Sequence, residues 1–300
     1  MATIHAGIVG LGCLAAALLA LSTLDARSAL AQDDWPEFRG PTGQGLSSST
    51  GLPTEWAEGK NVVWKQEVPG LGWSSPVIVG GRIYLTSAVP VGGESKDLSL
   101  RVLAFDAAKG KPLWNEEVFL QSGDAPKIHG KNSHASPTVI VNGDRLFVHF
   151  GHMGTACLDL NGKVVWKNNE LKYSPVHGNG GTPALVGNQL LVFSCDGASD
   201  PFVVALEQAT GKVKWKTIRV TDAPKKFSFS TPLVITVEGQ QQIISPGSDC
   251  VCAFDPADGK ELWRVKYKGY SVIPRPVYGN DLLYLSTSYD SPSILAVKPT

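Results

Sequence analysis

Short apolar runs alternate with Gly- and Asn-rich turns along nearly the whole chain, and this alternation is periodic. A block of about fourteen residues returns four times as an apolar strand, a turn with Gly-Lys and a short strand carrying Trp. The copies are RVLAFDAAKGKPLW (101–114), TACLDLNGKVVW (155–166), FVVALEQATGKVKW (202–215) and CVCAFDPADGKELW (250–263). With Trp64 included, successive tryptophans are 50, 52, 49 and 48 residues apart. A fixed period of this size in a strand-rich chain predicts a propeller or a solenoid.

The other half of each period has its own pattern of a Ser/Thr-Pro step, an apolar strand, a Gly or Asn turn and another apolar strand. It recurs at 74–87, 135–150, 181–195, 230–245 and 275–288. Turns such as Asn-Gly-Asp supply the positive φ angles of tight hairpins. Four hairpin-linked strands per period are typical of one propeller blade, and no stretch after residue 32 shows helical periodicity. The sequence therefore predicts an all-β propeller of four-stranded antiparallel blades.

The period divides the chain into four complete blades and part of a fifth. The complete blades are expected at about 71–118, 133–170, 180–219 and 229–267, and the partial one at about 273–298. The segment VVWKQEV (62–68) resembles a lone fourth strand. Pairing of 62–68 with the last strand, ILAV (294–297), would close a ring of five blades. We favour an open arc cut from a larger ring, in which these two segments do not pair.

The repeated tryptophans have a structural explanation. Blades pack face to face, and a large flat side chain at one position of each blade fills the wedge between neighbours. We therefore expect Trp114, Trp166, Trp215 and Trp263 to be buried between blades rather than to contact a ligand.

Charge and the N-terminus limit the partners and the compartment. The chain has 27 basic and 27 acidic residues, so its formal charge is zero and nothing favours nucleic acid as a partner. Residues 6–24 are apolar and are followed by Ala29-Leu30-Ala31, which is typical of a signal peptide spanning 1–31. Such a segment is removed, so it is not a membrane span of the mature protein. An N-terminal extension, 32–61, then precedes the repeats, and the predicted location is periplasmic or extracellular.

Four cysteines follow the signal, and all lie in or beside predicted strands. Cys250 and Cys252 alternate with Val251 and so face the same side of their strand. A disulfide between Cys195 and either of them is left open by the pattern, as is a role as small core residues. Cys-x-Cys without further donors is weak support for a metal, and no metal site is assigned.

Chemistry is expected at one end of the blades. The hairpin turns at one end are minimal, whereas the connections at the other end are long and rich in His, Asn, Tyr, Arg and Asp. Residues that open the first strands, or that follow the second strands, should converge near the axis as a polar ligand-binding site. The candidates are Asn132, His134, His177, Asn179, Arg275, Tyr289 and Asp290.

The block AFDAAKGKPLW (104–114), with its copies, is similar to the repeat of the pyrroloquinoline-quinone-like propellers. That superfamily includes quinoprotein dehydrogenases and the propeller lipoprotein that assists outer-membrane barrel assembly. The opening DWPEFRGPTGQG (34–45), with NVVWK (61–65), looks like a subgroup of secreted bacterial propellers. The resemblance covers essentially all of 34–300 and implies a ring of seven or eight blades. It specifies fold far more than function, because the repeat records blade packing.

Two functions follow from these observations. The favoured one is an exported scaffold that binds a protein partner or a polar ligand at its loop-rich rim. The alternative is a quinone- or metal-dependent oxidoreductase whose remaining site parts lie in missing blades. The resemblance implies that such an enzyme needs pyrroloquinoline quinone with calcium, an adjacent Cys-Cys pair and a catalytic Asp. No Cys-Cys occurs, and Cys250-Val251-Cys252 is the nearest approach. No cofactor and no catalytic residue are therefore assigned.

Overall fold

The computed structural model describes residues 34–287 and 289–300, and this part of the chain consists of short β-strands. The strands are β1 (Val77–Val79), β2 (Arg82–Pro90), β3 (Leu98–Asp106), β4 (Pro112–Gln121), β5 (Ile140–Asn142), β6 (Arg145–His149), β7 (Thr155–Asp159), β8 (Val164–Asn168), β9 (Ala184–Val186), β10 (Leu190–Cys195), β11 (Phe202–Glu207), β12 (Val213–Ile218), β13 (Leu233–Val237), β14 (Gln240–Gly247), β15 (Cys250–Phe254), β16 (Glu261–Lys266), β17 (Val277–Gly279), β18 (Leu282–Ser286) and β19 (Ile294–Val297). Within the described ranges the helical content is one 3-10 turn, Gly151–Met153. The all-β prediction is confirmed.

The strands form five antiparallel sheets, each built from consecutive strands. Four sheets have four strands, β1–β4, β5–β8, β9–β12 and β13–β16, and the fifth has three, β17–β19. Each sheet matches one predicted blade, so the propeller architecture with four complete blades and a partial fifth is confirmed. Hairpin turns join first to second and third to fourth strands at one end of the blades. The remaining connections emerge at the opposite end, which we call the loop end.

The first strands of neighbouring blades are held together by a chain of hydroxyl contacts. The Thr138 hydroxyl accepts a bond from the Ser75 amide at 3.0 Å, and the Thr182 hydroxyl accepts one from the Thr138 amide at 2.9 Å. The Thr231 hydroxyl repeats the contact with the Thr182 amide at 2.9 Å. Each of these residues adjoins the proline that opens a first strand, so the Ser/Thr-Pro repeat fixes the spacing of the blades around the axis.

A tryptophan from the segment that precedes each blade packs on the Gly-Lys turn of that blade. The indole rings of Trp64, Trp114, Trp166 and Trp215 lie so close to Gly110, Gly162, Gly211 and Gly259 that a Cβ at any of these glycines would clash. The four indole N–H groups donate to the carbonyls of Ala107, Leu160, Gln208 and Pro256 at 2.8–3.1 Å. The regular spacing of the tryptophans therefore reflects one contact that is made four times.

The four predicted tryptophans differ in how far they are buried. Trp166 and Trp215, between complete blades, are 9% and 8% exposed. Trp114 and Trp263 are only partly buried. Within the described residues Trp263 packs on no Gly-Lys turn, and its indole donates instead to the side chain of Gln242 at 2.8 Å.

Residues 62–68 differ from the prediction in one respect. Trp64 occupies the docking position expected of a fourth strand, but in the described part of the chain this segment forms no ladder with another strand. The reason is that no third strand of the described ranges lies alongside it. In the described ranges β19 pairs with β18, and no backbone pairing joins 62–68 to 294–297.

Residues 34–45, which we call the inner segment, connect blades that are distant in sequence. Trp35 forms an antiparallel bridge with Ile78 of β1, and the carbonyl of Pro36 accepts a bond from the Val141 amide at 2.8 Å. At its other end, the side chain of Gln44 accepts a bond from the Tyr278 amide at 2.8 Å. The inner segment thus links first strands of the first, second and fifth blades.

The proposed signal peptide, 1–31, lies outside the described residues, as do Gln32 and Asp33 of the N-terminal extension. Within the described ranges no helix has the length and apolar character needed to cross a membrane.

Candidate functional site

Aromatic and imidazole rings form a continuous belt at the loop end. The belt comprises His129, His177, Phe227, Tyr270 and Tyr289, of which the first four come from successive inter-blade loops. Successive ring centroids are 5.5, 5.2, 5.5 and 6.5 Å apart. The first three contacts are edge-to-face, with interplanar angles of 80–89°. Such pairs stabilise a fixed arrangement beyond the area they bury.

Backbone hydrogen bonds between the loops hold the belt in place. The His129 amide donates to the His177 carbonyl at 3.2 Å, and the Ser271 amide donates to the Phe227 carbonyl at 3.1 Å. The Tyr289 amide donates to the Tyr270 carbonyl at 3.1 Å. His177 and Ser271 have φ angles of 66° and 60°, which non-glycine residues rarely adopt. Strained backbone of this kind clusters at binding sites, so the belt is a candidate site on geometric grounds.

The belt combines an exposed surface with a positively charged neighbour. Tyr289 is 77% exposed, and His129 and His177 are also exposed, whereas Phe227 is buried beneath them. The Lys225 ammonium lies 4.1 Å from the centroid of the Tyr270 ring and donates to its hydroxyl at 2.9 Å. That hydrogen bond raises the pKa of Lys225, so the lysine is charged at neutral pH.

The predicted asparagines lie beside the belt and support it. The Asn132 side-chain amide donates to the carbonyls of His177 at 2.9 Å and of Asn179 at 3.2 Å. The side chain of Asn179 accepts a bond from the Tyr173 hydroxyl at 2.6 Å. The structure thus brings Asn132, His177 and Asn179 together at one end, with the two asparagine side chains already hydrogen-bonded to the protein.

A second group of histidines lies next to the asparagines. A ring nitrogen of His134 is 2.9 Å from the Gln121 amide nitrogen, and burial lowers the pKa of His134. His149 is fully buried and bonds to the Thr155 hydroxyl at 2.9 Å. Burial, with a smaller contribution from His152, lowers the pKa of His149 to about 3. These rings are therefore neutral at pH 7 and suit hydrogen bonding rather than charge.

The free energy of unfolding should decrease as the pH is lowered, because of His149. Its pKa is about 3 when folded and about 6.5 when unfolded, so the unfolded state binds the extra proton between these values. Stability from this group is complete above pH 6.5 and should decrease by about 2 kcal/mol between pH 6.5 and pH 5. Urea unfolding at both pH values would measure it. The His149→Asn variant should lose this part of the pH dependence, and His129→Asn, at an exposed position, should keep it.

A narrow polar cleft lies between the second, third and fourth blades. Its lining includes His149, Tyr173, Asn179, Ser194 and Asp196, and its volume of about 10 Å³ is room for about one water molecule. The cleft can hold a small polar species but no metabolite.

A buried ion pair lies behind the cleft. The Arg219 guanidinium is 2.5 Å from the Asp196 carboxylate, and neither side chain is more than 3% exposed. Burial raises the pKa of Asp196, and the charge of Arg219 opposes that shift. Arg219 also donates to the Ser245 hydroxyl at 2.7 Å, which joins the third blade to the fourth.

Arg275 and Asp290 lie in different surroundings. Arg275 is 6% exposed and donates to the carbonyls of Phe38 at 2.9 Å and Pro232 at 3.1 Å. The carboxylate found beside it is that of Glu37 at 3.9 Å. Asp290 is exposed and acts electrostatically on Lys225 at the end of the belt. The reason is that the inner segment covers Arg275, a contact that blade geometry does not predict.

The described residues do not fit a quinone with calcium. Calcium needs six to eight oxygen ligands, and the described ranges contain no group of three or more His, Cys, Asp or Glu arranged to hold a metal. Arg275 at the loop end is occupied by the inner segment. We therefore derive no redox step from this site.

Sequence reasoning missed Phe227 and the continuity of the belt. The signal is present: a ring residue stands five to eight positions before each proline that opens a first strand, at Pro137, Pro183, Pro232 and Pro276. This position holds His, Phe or Tyr in different loops. What is repeated is therefore a planar ring and not one residue type.

Comparison with known proteins agrees with the architecture. Solved structures with the same fold include quinohemoprotein alcohol dehydrogenase from Comamonas testosteroni, at a TM-score of 0.62 and 16% identity, covering 90% of this chain and 48% of that one. Quinohemoprotein alcohol dehydrogenase ADHIIG from Pseudomonas putida HK5 matches with a TM-score of 0.51 and 14% identity. The match covers 78% of this chain and 41% of that one. BamB from Moraxella catarrhalis matches with a TM-score of 0.49 and 15% identity. The match covers 77% of this chain and 72% of that one. The chain thus spans less than half the length of the two dehydrogenases.

No curated protein matches the chain. The sequence model of the family described as outer membrane protein assembly factor BamB matches residues 47–244 and 199–298. These two matches overlap, as expected for a repeated unit, and together they cover most of the chain. The protein therefore belongs to this BamB-like family of propellers with pyrroloquinoline-quinone-like repeats.

Proposed function

We propose that the protein is an exported propeller scaffold that binds a protein partner through the belt at its loop end. The observation that carries this proposal is the chain of five rings, exposed at both ends and fixed by backbone bonds. Aromatic residues are enriched at protein interfaces, where they supply large contact areas at low entropic cost. The belt is preorganised, which reduces the cost of ordering it on binding.

A protein partner fits these dimensions better than a small polar ligand does. The polar cleft beside the belt has room for about one water molecule, whereas the four successive centroid spacings of 5.2–6.5 Å add up to a path of more than 20 Å along the rings. Asn132 and Asn179 then support the belt, His134 is held beside them by Gln121, and His177, Tyr289 and Asp290 contact the partner directly. Arg275 anchors the inner segment.

The family description supports a partner in outer-membrane assembly and a periplasmic location. A family of assembly factors implies protein partners, and the signal-like residues 1–31 are in keeping with export. These points come from the family and from sequence composition, and they add to the geometric argument from the belt.

Site-specific photocrosslinking in the native host tests this proposal. We expect a photoreactive phenylalanine analogue at Tyr289 or Tyr270 to crosslink to one protein, and the same analogue at Leu113 to give no such product. Leu113 is a suitable control because it is 44% exposed and lies at the hairpin end. Crosslinking from Leu113 alone would contradict the proposal.

Binding to the purified crosslinked partner gives the quantitative prediction. The double variant Tyr270→Ser with Tyr289→Ser should bind at least about tenfold more weakly, since interface aromatics commonly contribute more than 1 kcal/mol each. Leu113→Ser should bind like the parent. Equal affinity of all three proteins would rule out the belt as the binding surface.

The oxidoreductase alternative has its own assay. The protein is mixed with pyrroloquinoline quinone and calcium, and reduction of a dye acceptor is followed with alcohols or sugars. The scaffold proposal expects no dye reduction above the protein-free rate. Substrate-dependent reduction would overturn it.

A further inference from the structure

Two buried thiols face each other on the fourth blade. Cys250 and Cys252 are 2% and 0% exposed, and the Cys252 thiol donates to the Cys250 sulfur across 3.8 Å. Both lie on one face of β15, which packs against the third blade beside Trp215. The role proposed above for the belt makes no use of this pair.

The distance between the sulfurs is informative. A disulfide bond measures about 2.05 Å, so the sulfurs stand well apart from covalent contact. Two thiolates that share one metal at a metal–sulfur length of about 2.3 Å can be at most about 4.6 Å apart. The observed 3.8 Å lies within that span.

Two arginines lie on the same face of the blade, Arg219 paired with Asp196 and Arg264 paired with Glu261. Cys252 is paired across the sheet with Ser245 on one side and with Arg264 on the other, so these side chains lie on its face. Arg219 packs against Gly247, the residue paired with Cys250, and donates to the Ser245 hydroxyl at 2.7 Å. A guanidinium thus lies along the thiol pair.

Arg219 also has a donor left over. Its side chain is fully buried, and within the described part of the chain its Nε atom has no hydrogen-bond partner. Buried charged groups normally use all their donors. A thiolate of the pair would therefore offer an acceptor to this N–H donor.

We propose that Cys250 and Cys252 form a two-thiolate site for a monovalent thiophilic cation, with Cu(I) as the physiological ion. Soft thiolate ligands select Cu(I). Ions that require four ligands do not suit the site, because the described ranges contain no group of three or more His, Cys, Asp or Glu that could hold a metal. On binding, one Cu(I) replaces the two thiol protons, which leave to solvent, and the resulting S–Cu–S unit carries one negative charge beside Arg219.

Competition for Cu(I) tests the proposal. Reduced protein is titrated anaerobically with Cu(I) against a chromophoric chelator, both as native protein and after refolding with the ion, because the site is buried. We expect one equivalent bound by the parent protein and binding weakened at least about tenfold in Cys250→Ser and in Cys252→Ser, since each removes half of the ligands.

Cys157→Ser is the matched control. Cys157 is also fully buried, but it lies alone in the second blade, so this variant should bind one equivalent. Near-ultraviolet circular dichroism establishes that each variant is folded, and X-ray absorption of the copper protein should show sulfur ligands only. No binding by native or refolded parent protein, or binding that survives both Cys250→Ser and Cys252→Ser, would overturn the proposal.

Discussion

Replacement of Trp215 by alanine is expected to lower the free energy of unfolding by about 3–5 kcal/mol, the range for large-to-small changes of a buried aromatic. Trp215 is 8% exposed, packs on Gly259 and donates its indole N–H to the Pro256 carbonyl at 2.9 Å. The change would therefore leave a cavity between the third and fourth blades and an unpaired carbonyl. In thermal denaturation the midpoint should fall on the order of 10 °C.

Trp56→Ala provides the control for this experiment. Trp56 is 64% exposed and lies outside the docking repeat, so its removal should change stability by less than about 0.5 kcal/mol. Similar losses from both substitutions would show that the tryptophan contacts between blades do not hold the propeller together.

The Asp196→Ala variant should be destabilised to a similar extent, by about 3–5 kcal/mol, because it leaves the guanidinium of Arg219 buried without its counter-charge. The two side chains are 3% and 0% exposed and 2.5 Å apart. Urea unfolding would measure the loss. The Asp200→Ala variant removes an exposed ion pair with Lys226, at 2.6 Å, and should cost less than about 1 kcal/mol.

A double variant separates the charge from the packing. Asp196→Leu combined with Arg219→Met replaces the pair by apolar side chains, and buried ion pairs replaced in this way are often as stable as the originals. We expect it to recover most of the stability lost in Asp196→Ala. A double variant as unstable as the single one would mean that the hydrogen bond of Arg219 to Ser245, rather than the ion pair, joins the blades.

The repeat made the fold predictable because the same contact recurs in it. A tryptophan, the Gly-Lys turn that it packs on and the Ser/Thr-Pro step are all encoded locally, so blade boundaries and the all-β class follow from spacing alone. The predicted fourth strand at 62–68 is different, since a ladder needs a neighbour as well as a suitable sequence. Trp64 packs on the Gly110 turn, but no strand in the described part of the chain lies beside the segment.

The candidate site was predictable only in part. That Asn132, His177 and Asn179 would meet follows from their equivalent positions at the starts of first strands. The burial of Arg275 does not, because the residues that cover it, 34–45, lie more than 200 positions away in sequence. The belt depends on ring shape at a position where His, Phe and Tyr alternate, and a search for identical residues does not detect it.

The inner segment also orders the events of folding. Each blade closes through contacts between neighbouring strands, whereas the hydrogen bonds of Arg275 to Phe38 and of Tyr278 to Gln44 join residues 237 and 234 positions apart. During synthesis, residues 34–45 are therefore made before any of the blades and obtain their last partners only when the fifth blade has been made. Contacts of such long range are slow to form, although the entropic cost of a loop grows by only about 0.6 kcal/mol for each doubling of its length. Resistance of residues 34–45 to proteolysis would consequently report that all five sheets have formed.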